Sequence, residues 1–501
     1  MKRLLAVGLF LAAAVAQVYW PTGRGLLVGR DEGGVARFLG LPYARAGRFQ
    51  RPRLLPLPKG TFDARRPGPA CPQRGSIEVR LGAPLPPQSE DCLNLNLWVP
   101  ESPPPEGGFP VMVYLHGGSF TGGSGASPIY DGAALARRGV IVVTLNYRLG
   151  ALGFLALPGL AKEDPNGSTG NYGLLDQIAA LRWVRRHIRA FGGNPERVTL
   201  FGESAGAMSA CALLTSPLAK GLFSRVILQS GGCDQARSLE AGYRAAERIG
   251  RRLGCDPADL ACWRRLPVER YLTLLDRIDP LADFEKAPFK PHLDGYVLKL
   301  PPEEALRRGA GADVPLIAGA NAEEFALNLA LYAVGPRTWA DFARLAAERG
   351  VDPKRALAVY RRRFADPLAA FFAFETERVL LCPTYRAARL HRGATHAYLF
   401  AYRSATWPFA GAFHGLDVAF VFDTFTVWPF WGVFVSAPEF AAAEATGRLM
   451  RRYWTAFAKG TPLRAGLMPW PDYRSGWVLR FGKKSGWTRD PFPRRCRLFV
   501  E

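Results

Sequence analysis

A single serine between small residues constrains the fold of this chain more than any other feature. It stands in the pentapeptide Gly202-Glu203-Ser204-Ala205-Gly206, after the strand-like residues 198–201 and at the start of the helix-like residues 205–214. A turn of this kind between a strand and a helix is sharp and strained, and it exposes the serine hydroxyl above the sheet. Glycines two residues before and after Ser204 remove side chains that would collide there. The pattern therefore predicts a nucleophilic serine.

Apolar runs on both sides of this turn predict further strands, with helical patterns such as residues 174–191 between them. The predicted strands are residues 110–115, 140–145, 198–201, 226–229 and 315–319. Alternation of strands and helices is typical of an α/β fold, in which a mainly parallel sheet is covered on both faces. In the later half, residues 239–304 and 338–392 are predicted to be mainly helical. Residues 397–402 are β-like, and a long helix at residues 439–459 precedes a β-like tail.

The N-terminus has the pattern of a secretory signal peptide. Lys2 and Arg3 precede an apolar run at residues 4–14, and Ala14-Val15-Ala16 fits a small-residue cleavage site. The prediction is a signal peptide over residues 1–16, and its alternatives are an uncleaved anchor or a wrongly assigned start. No later apolar run is long enough to cross a membrane. We therefore expect a secreted or periplasmic protein with one domain over residues 17–501, as a monomer or weak homo-oligomer.

The chain carries a formal net charge of +22, from 65 basic and 43 acidic residues. A basic excess can indicate nucleic acid or anionic surfaces as partners. Here the arginines are scattered through the whole chain without a nucleic-acid-binding motif, so no nucleic acid partner is expected. A solvated basic surface is the preferred interpretation, and binding to anionic envelope or polymer surfaces is the alternative. No cysteine pair has zinc-finger spacing with nearby histidines, so no metal is expected.

A serine hydroxyl needs a base, and the base needs an acid that orients it. Of the six histidines, His414 stands in a glycine-flanked loop late in the chain, whereas His187 and His391 lie in arginine-rich helical stretches typical of the surface. In this kind of fold the partners follow in the order serine, acid, histidine. Residues 316–324 end in two glutamates after a predicted strand and supply the acid.

Acyl transfer also needs hydrogen-bond donors at the position where negative charge develops. The segment His116-Gly117-Gly118-Ser119-Phe120 follows a predicted strand, as an oxyanion-hole loop does. Its backbone N–H groups, together with that of Ala205, would form the hole. A double glycine by itself indicates only a tight turn, but its combination with the serine turn favours the functional interpretation.

With these motifs the sequence resembles the type-B carboxylesterases, the carboxylesterase and cholinesterase branch of the α/β-hydrolases. The matching segments follow one order over nearly the whole mature chain. They are residues 38–43 (FLGLPY), 89–96 (SEDCLNLN), 116–120 (HGGSF), 171–177 (NYGLLDQ), 191–195 (FGGNP), 201–206 (FGESAG), 229–231 (QSG), 321–325 (NAEEF), 412–415 (AFHG) and 453–459 (YWTAFAK). The resemblance implies an α/β-hydrolase fold with a mostly parallel central sheet and helical insertions around the active-site mouth.

The resemblance also implies the roles of single residues. Ser204 would be the nucleophile, His414 the base, and Glu324, directly before Phe325, the acid. The oxyanion donors would be Gly118, Ser119 and Ala205, with Gly117 as a further candidate because Ser119 replaces a third glycine. Ser230 would support the triad from behind. Glu203 and Asp417 would surround it, although Asp417 replaces the usual glutamate and could instead be a surface residue.

The resemblance also bears on the pairing of the cysteines. Two loops have the look of loops closed by a disulfide: one lies between Cys71 and Cys92, and the other between Cys255 and Cys262. Pairing cannot be deduced from sequence alone. The resemblance implies these two disulfides and a third between Cys382 and Cys496. Cys211 and Cys233 are then expected to be buried thiols.

The expected reaction is hydrolysis of a small-molecule carboxylic ester, without a cofactor. Cholinesterases hold quaternary ammonium on a tryptophan in the loop of the first disulfide, but residues 72–91 contain no aromatic residue. Short- to medium-chain or aryl esters are therefore expected rather than choline esters. The aromatic-rich residues 407–434 could line the acyl or alcohol pocket or simply pack in the core. Alternatives are a non-catalytic adhesion protein, which the intact triad disfavours, and activity on amides, carbamates or lactones.

Overall fold

A computed structural model of the chain describes residues 16–75, 84–276, 289–327, 335–406, 408–425, 439–465 and 468–499. Apart from Ala16, the predicted signal peptide lies outside the described residues. So do residues 407 and 426–434 of the aromatic-rich segment and part of the loop between Cys71 and Cys92.

The described residues contain nineteen strands, thirteen of which form one sheet. In chain order the strands are β1 (Gln17–Pro21), β2 (Gly25–Asp31), β3 (Val35–Pro42), β4 (Ala44–Arg45), β5 (Arg53–Leu54), β6 (Gly60–Asp63), β7 (Asn94–Pro100), β8 (Phe109–Leu115), β9 (Ile141–Leu145), β10 (Gly193–Glu203), β11 (Arg225–Gln229), β12 (Arg237–Ser238), β13 (His292–Leu293), β14 (Leu316–Asn321), β15 (Thr395–Phe400), β16 (Arg464–Ala465), β17 (Met468–Pro469), β18 (Trp477–Phe481) and β19 (Gly486–Arg489).

The large sheet runs in the order β1-β2-β3-β7-β9-β8-β10-β11-β14-β15-β18-β19, with β6 beside β2. Its middle, from β9 to β18, is parallel, and antiparallel strands flank it on both sides. Strands β8 and β9 are apolar runs buried along their whole length, as expected for a parallel sheet covered on both faces. Strand β10 is central, and its Gly202 pairs with Leu115 on one side and Leu228 on the other.

The helices lie mostly between these strands, as the alternating pattern predicts. In the described residues the α-helices are α1 (Ala133–Ala136), α2 (Gly150–Phe154), α3 (Pro158–Glu163), α4 (Tyr172–His187), α5 (Ala205–Thr215), α6 (Leu239–Leu253), α7 (Leu260–Arg265), α8 (Val268–Leu272), α9 (Pro302–Arg307), α10 (Trp339–Glu348), α11 (Pro353–Tyr360), α12 (Pro367–Glu375), α13 (Cys382–Leu390), α14 (Leu416–Phe422), α15 (Phe440–Lys459) and α16 (Phe492–Arg495). A π-helix, Thr376–Leu381, joins α12 to α13. No helix in these parts of the chain is both long and apolar enough to cross a membrane.

The core lies on both faces of the sheet because successive strand residues point in opposite directions. Leu200 and Val226 belong to the hydrophobic cluster on one face. Their chain neighbours Phe201 and Ile227 belong to the cluster on the other face, which α15 covers with Trp454. The α/β prediction is therefore confirmed, and the catalytic candidates lie at the carboxyl ends of these buried strands.

The described residues contain four disulfides: Cys71–Cys92, Cys211–Cys233, Cys255–Cys262 and Cys382–Cys496. The expectation of free thiols at Cys211 and Cys233 is wrong. Helix α5 and the turn after β11 bring their Cα atoms to 5.5 Å, which suits a disulfide. This proximity arises from helix packing against the sheet, which the spacing of the cysteines in the sequence does not reveal.

Candidate active site

Ser204 occupies the turn between β10 and α5 in a strained backbone conformation. Its φ is 54° and its ψ is −125°, and a non-glycine residue held in a sparsely populated region costs about 1 to 3 kcal/mol. Hydrogen bonds hold the turn, since the Ser204 N–H donates to the Gln229 carbonyl at 2.9 Å and its carbonyl accepts from the Met208 N–H at 2.9 Å. The surrounding sheet and helix therefore fix the position of the hydroxyl.

The two glycines of the pentapeptide are required by close backbone approach. A Cβ added to Gly202 would lie 2.5 Å from the carbonyl carbon of Gly206, and one added to Gly206 would lie 2.0 Å from the Leu115 carbonyl oxygen. Strand β8 and the start of α5 are therefore in direct contact at this turn. The prediction that small residues permit the turn agrees with this packing.

The loop after β8 lies directly beside the serine. A Cβ added to Gly117 would lie 3.0 Å from the Ser204 Cβ. Gly118, Ser119 and Phe120 all have positive φ values, at 104°, 55° and 60°. Ala205 is the first residue of α5, where N–H groups have no intrahelical acceptor and the helix end favours negative charge. The backbone of both segments is thus close to the Ser204 side chain, as an oxyanion hole requires.

His116 holds this loop in place. Its ring stacks on Tyr147 with 4.5 Å between the ring centroids, and Tyr147 Oη donates to the His116 carbonyl at 2.8 Å. The Nδ1 atom lies 2.8 Å from the Gly117 carbonyl, which only accepts, so this nitrogen carries the proton. Burial lowers the pKa of His116 to about 4. His116 is therefore a neutral residue that positions the loop.

The structure brings His414 and Glu324 together at the end of β14. His414 Nδ1 lies 2.8 Å from Glu324 Oε2, and the His414 backbone N–H donates to the Glu324 carbonyl at 2.9 Å. Glu324 is buried, and its Oε1 accepts from the Asn321 N–H at 2.8 Å. The neighbouring Glu323 instead binds Arg403 and the Ala412 N–H. Of the two glutamates, Glu324 is the partner of the histidine.

The other nitrogen of His414 contacts the residue before the serine. Its Nε2 lies 3.1 Å from Glu203 Oε1, and the described residues include no hydrogen bond between Ser204 and His414. Sequence analysis placed Glu203 near the triad but did not predict this contact. The only sequence signal was the position of an acidic residue inside the pentapeptide.

Three carboxylates determine the protonation of His414. Burial alone would lower the pKa of this imidazole, but Glu203, then Glu324, and more weakly Asp417 raise it to about 9. In this arrangement His414 carries a proton at neutral pH. A base role toward Ser204 would require loss of that proton and a movement of Nε2 away from Glu203.

Comparison with known proteins identifies the family. A sequence profile described as "Carboxylesterase family" matches residues 15–499. The chain belongs to the carboxylesterase family. It is a carboxylic ester hydrolase with the α/β-hydrolase fold.

Several relatives and solved structures support the assignment. Para-nitrobenzyl esterase of Bacillus subtilis (strain 168) is 34% identical over 472 residues, which cover 90% of this chain and 92% of that protein. Acetylcholinesterase of Bungarus fasciatus is 32% identical over 503 residues, covering 90% and 79%. Fumonisin B1 esterase of Sphingopyxis macrogoltabida is 47% identical over 299 residues, covering 58% of this chain and 54% of that protein, about half of its length. A carboxylesterase structure from Geobacillus stearothermophilus superposes with a TM-score of 0.82 at 33% identity, covering 96% and 100%.

Asp417 lies at the centre of a buried hydrogen-bond network in this carboxylesterase. The alternative expectation of a surface position for Asp417 is therefore wrong. Its Oδ2 accepts from Gln229 Nε2 at 2.9 Å and from Tyr398 Oη at 2.8 Å. Its Oδ1 accepts from Asn321 Nδ2 at 3.3 Å. Asn321, which the sequence analysis missed, thus connects Asp417 to Glu324 through its side chain and its backbone N–H. The network therefore holds Glu324 in position.

Ser230 contributes through its backbone. It has a φ of 52°, and its N–H donates to the Gly319 carbonyl at 2.8 Å. Its Oγ is buried and forms no hydrogen bond with any described residue, so a side-chain bond to the triad is absent. A Cβ added to Gly231 would lie 2.5 Å from the Ser204 carbonyl oxygen. The Ser230–Gly231 turn therefore packs directly behind the nucleophile turn.

The remaining histidines lie outside this constellation. His391 is buried and bonds to Thr395 and to the Gly311 carbonyl, so its predicted surface position is wrong, because α13 packs against the loop before β14. His187 is half-buried beside Trp183. His292 is buried, and burial lowers its pKa to about 4. In the described ranges no group of three or more His, Cys, Asp or Glu side chains could hold a metal ion.

Proposed function

We propose that this carboxylesterase is secreted and hydrolyses esters through an acyl-serine intermediate on Ser204. The observation that carries the proposal is the placement of one imidazole. His414 is bound by Glu324 at Nδ1, and its Nε2 reaches Glu203, the residue directly before the strained Ser204. The proposed mechanism needs Nε2 to move from Glu203 to the hydroxyl of the adjacent Ser204. Catalytic hydrogen bonds are often formed fully only when substrate is bound.

The mechanism follows from this arrangement. Neutral His414 takes the Ser204 proton as the oxygen attacks the ester carbonyl, and Glu324 stabilises the imidazolium that forms. The backbone N–H groups of Gly118, Ser119 and Ala205, with Gly117 as a further candidate, stabilise the oxyanion. His414 then protonates the leaving alcohol. A water molecule activated by the same imidazole releases the acid, and no cofactor takes part.

The proposed substrates are short- to medium-chain or aryl esters. The absence of aromatic residues from sequence positions 72–91 and the +22 charge disfavour choline esters. A relative aligned over nearly its whole length is named a para-nitrobenzyl esterase, which supports aryl-containing substrates. The match to a protein named fumonisin B1 esterase gives esters of that type as a second candidate class.

Secretion and domain organisation belong to the same proposal. Residues 1–16 would be removed, and residues 17–501 would form one domain, as a monomer or weak homo-oligomer. The four disulfides are typical of oxidising compartments. Mass spectrometry of the exported protein should give a mature chain that begins at Gln17. An exported chain that retains Met1 would overturn signal cleavage.

The test of the activity compares p-nitrophenyl acetate, butyrate and octanoate with the mature protein and its Ser204→Ala variant. We expect kcat to fall by about 10⁴-fold or more in the variant, because removal of a serine nucleophile leaves only residual catalysis. Ser475→Ala, an exposed turn residue, is the matched control and should keep full activity. Undiminished turnover by a folded Ser204→Ala protein would contradict the proposed mechanism.

A further inference from the structure

A cavity of about 1190 Å³ lies beside the segments that position His414. The start of the Glu323 turn, the residues before His414 and the C-terminal segment all line it. Its described lining includes seven arginines but one acidic residue, Glu323. Ser204, His414 and residues 117–119 are not among the described lining residues. The cavity is therefore separate from the candidate active site.

Three of the seven arginines already bind carboxylates of the protein. Arg363 Nη2 and Arg495 Nε contact Glu377 Oε1 at 2.6 and 2.7 Å, and Glu377 is fully buried in the π-helix. Arg403 Nε donates to Glu323 Oε2 at 2.7 Å. Guanidinium groups form bidentate, charge-assisted hydrogen bonds with carboxylates. Arginines that line the cavity therefore already bind two carboxylates of the protein, those of Glu377 and Glu323.

The other arginines leave the cavity strongly positive. Arg480 donates to the Lys484 carbonyl at 2.8 Å, and Arg497 to the Pro493 carbonyl at 3.2 Å. Arg362 and Arg494 form no side-chain hydrogen bond or ion pair with any described residue. The seven arginines that line the cavity thus bind only two carboxylates of the described residues, and only Glu323 of the two lines the cavity. A concave surface of one charge sign concentrates ions of the opposite sign.

The same cavity also has an apolar side. Phe364, Phe372, Phe409 and Leu498 line it together with small residues. Its volume is close to that of small-molecule sites, about 300 to 1,000 Å³, which are mostly apolar with a few placed polar groups. A ligand that satisfies both sides has an anionic head and an apolar body.

We propose that this cavity is a second binding site, for an amphipathic carboxylate. This is the chemical class of acid that ester hydrolysis releases. Its head group would bind the unpaired Arg362 and Arg494, and its chain would lie against the phenylalanines. The site goes beyond the proposed function, because binding there needs neither Ser204 nor turnover.

The site is connected to the catalytic histidine through Glu323. The Glu323 side chain accepts from the Ala412 N–H at 3.0 Å, and its own N–H donates to the Ala412 carbonyl at 3.2 Å. Ala412 lies two residues before His414. The negative charge of a carboxylate held by Arg362 and Arg494 also attracts Arg403, which lines the same cavity, and so weakens the ion pair that steadies Glu323 beside this loop. We therefore expect a bound amphipathic carboxylate to lower kcat without raising KM.

The first arm of the test measures octanoate binding by isothermal titration calorimetry. The protein is the mature chain with Ser204 blocked by an organophosphate, so that the acyl pocket is filled, or the untreated chain if Ser204 does not react. The double variant Arg362→Gln/Arg494→Gln should bind at least about tenfold more weakly, because it loses two charge-assisted hydrogen bonds to the carboxylate. Arg186→Gln/Arg189→Gln removes the same charge from exposed positions and should bind like the unchanged chain.

Acetate and inorganic phosphate carry a charge but no apolar chain, whereas octanol has the chain but no carboxylate. All three should bind much more weakly than octanoate. Binding of phosphate or octanol as tight as that of octanoate would contradict an amphipathic carboxylate site. Absence of saturable octanoate binding, or equal affinity in both double variants, would overturn the site. These titrations need no turnover, so their outcome is independent of the esterase assay. Thermal unfolding of both double variants checks that they are folded.

The second arm measures kinetics with p-nitrophenyl acetate. Octanoate should lower kcat in the unchanged chain and in the Arg186→Gln/Arg189→Gln control, but not in Arg362→Gln/Arg494→Gln. Purely competitive inhibition with calorimetric binding intact would overturn the connection to the His414 loop.

Discussion

Two buried histidines of the active site differ in charge although each has its Nδ1 atom 2.8 Å from an acceptor. His116 bonds to the Gly117 carbonyl, and His414 bonds to the Glu324 carboxylate. Burial lowers the pKa of His116 to about 4, whereas Glu203 and Glu324 outweigh burial and raise the pKa of His414 to about 9. Burial alone keeps an imidazole neutral, so charged neighbours decide which histidine holds a proton.

This difference assigns separate tasks to the two histidines. His116 is fixed by Tyr147 and shapes the oxyanion loop without exchanging protons. His414 is held as an imidazolium between two carboxylates, and the base role proposed for it needs the neutral form. Substitutions of Glu324, Glu203 and the two histidines test this difference.

The largest effect is expected from the Glu324→Gln substitution, which makes the acceptor of His414 neutral. Without the carboxylate the imidazole loses its orientation and the stabilisation of its charged form, so kcat should fall by about 10⁴-fold. Steady-state hydrolysis of p-nitrophenyl butyrate measures this. Glu323→Gln is the matched control and should cost far less, because Glu323 bonds to the backbone of the His414 loop at Ala412 and not to the imidazole. Equal losses in both variants would contradict the assignment of the acid.

The Glu203→Gln substitution should move the pH dependence. An opposite charge within hydrogen-bond distance raises a pKa by about 1 to 3, so its removal lowers the pKa of His414 by that amount. The active form has neutral His414, and kcat/KM should rise with pH through about 9 in the unchanged chain. The midpoint should lie at lower pH in the variant. Glu196→Gln, at an exposed ion pair, should leave it unchanged. An unmoved midpoint in Glu203→Gln would show that Glu203 does not set the charge of His414.

His116→Gln should have a smaller and different effect. The amide can still donate to the Gly117 carbonyl, but the stacking on Tyr147 is lost. A less ordered oxyanion loop should lower kcat by about tenfold, less than the loss of a whole donor. The midpoint of the pH profile should not move, because His116 stays neutral above pH 4. A shifted midpoint would mean that His116 titrates in the working range.

The smallest effects concern stability, and the two histidines should change it in opposite directions. The raised pKa of His414 stabilises the folded state below about pH 6.5, and this contribution is lost as pH rises towards 9. The lowered pKa of His116 costs stability as pH falls from 6.5 towards 4. Each contribution amounts to at most about 3 kcal/mol.

Urea unfolding at pH 5, 7 and 9 measures both contributions. Relative to the unchanged chain, His414→Gln should become more stable as pH rises from 7 to 9. His116→Gln should become relatively more stable as pH falls from 7 to 5. The same pH trend in both variants would contradict the opposite protonation of the two sites.

Sequence analysis predicted those parts of the site that depend on local backbone geometry. The Ser204 turn and the His116–Ser119 loop each need small residues at fixed positions after a strand, and this requirement is visible in one short segment. The alternation of apolar strands and helices likewise predicted the sheet that positions them.

Contacts between distant segments were not predictable in the same way. Cys211 and Cys233 pair because α5 packs beside the end of β11, and Glu203 contacts His414 across 211 positions of sequence. The arginine-lined cavity brings together seven arginines between Arg362 and Arg497, which look scattered along the sequence. Only tertiary packing brings these groups together.

The most direct test of the account follows organophosphate labelling of Ser204 by mass spectrometry as a function of pH. We predict one phosphoryl adduct, on Ser204, whose rate of formation rises with pH through about 9 and is lost in His414→Gln. In Glu203→Gln the rise should occur at lower pH. An adduct on another residue, or a labelling rate that is independent of pH and of His414, would contradict the claim that His414, whose pKa its carboxylate neighbours raise, activates this serine once it is neutral.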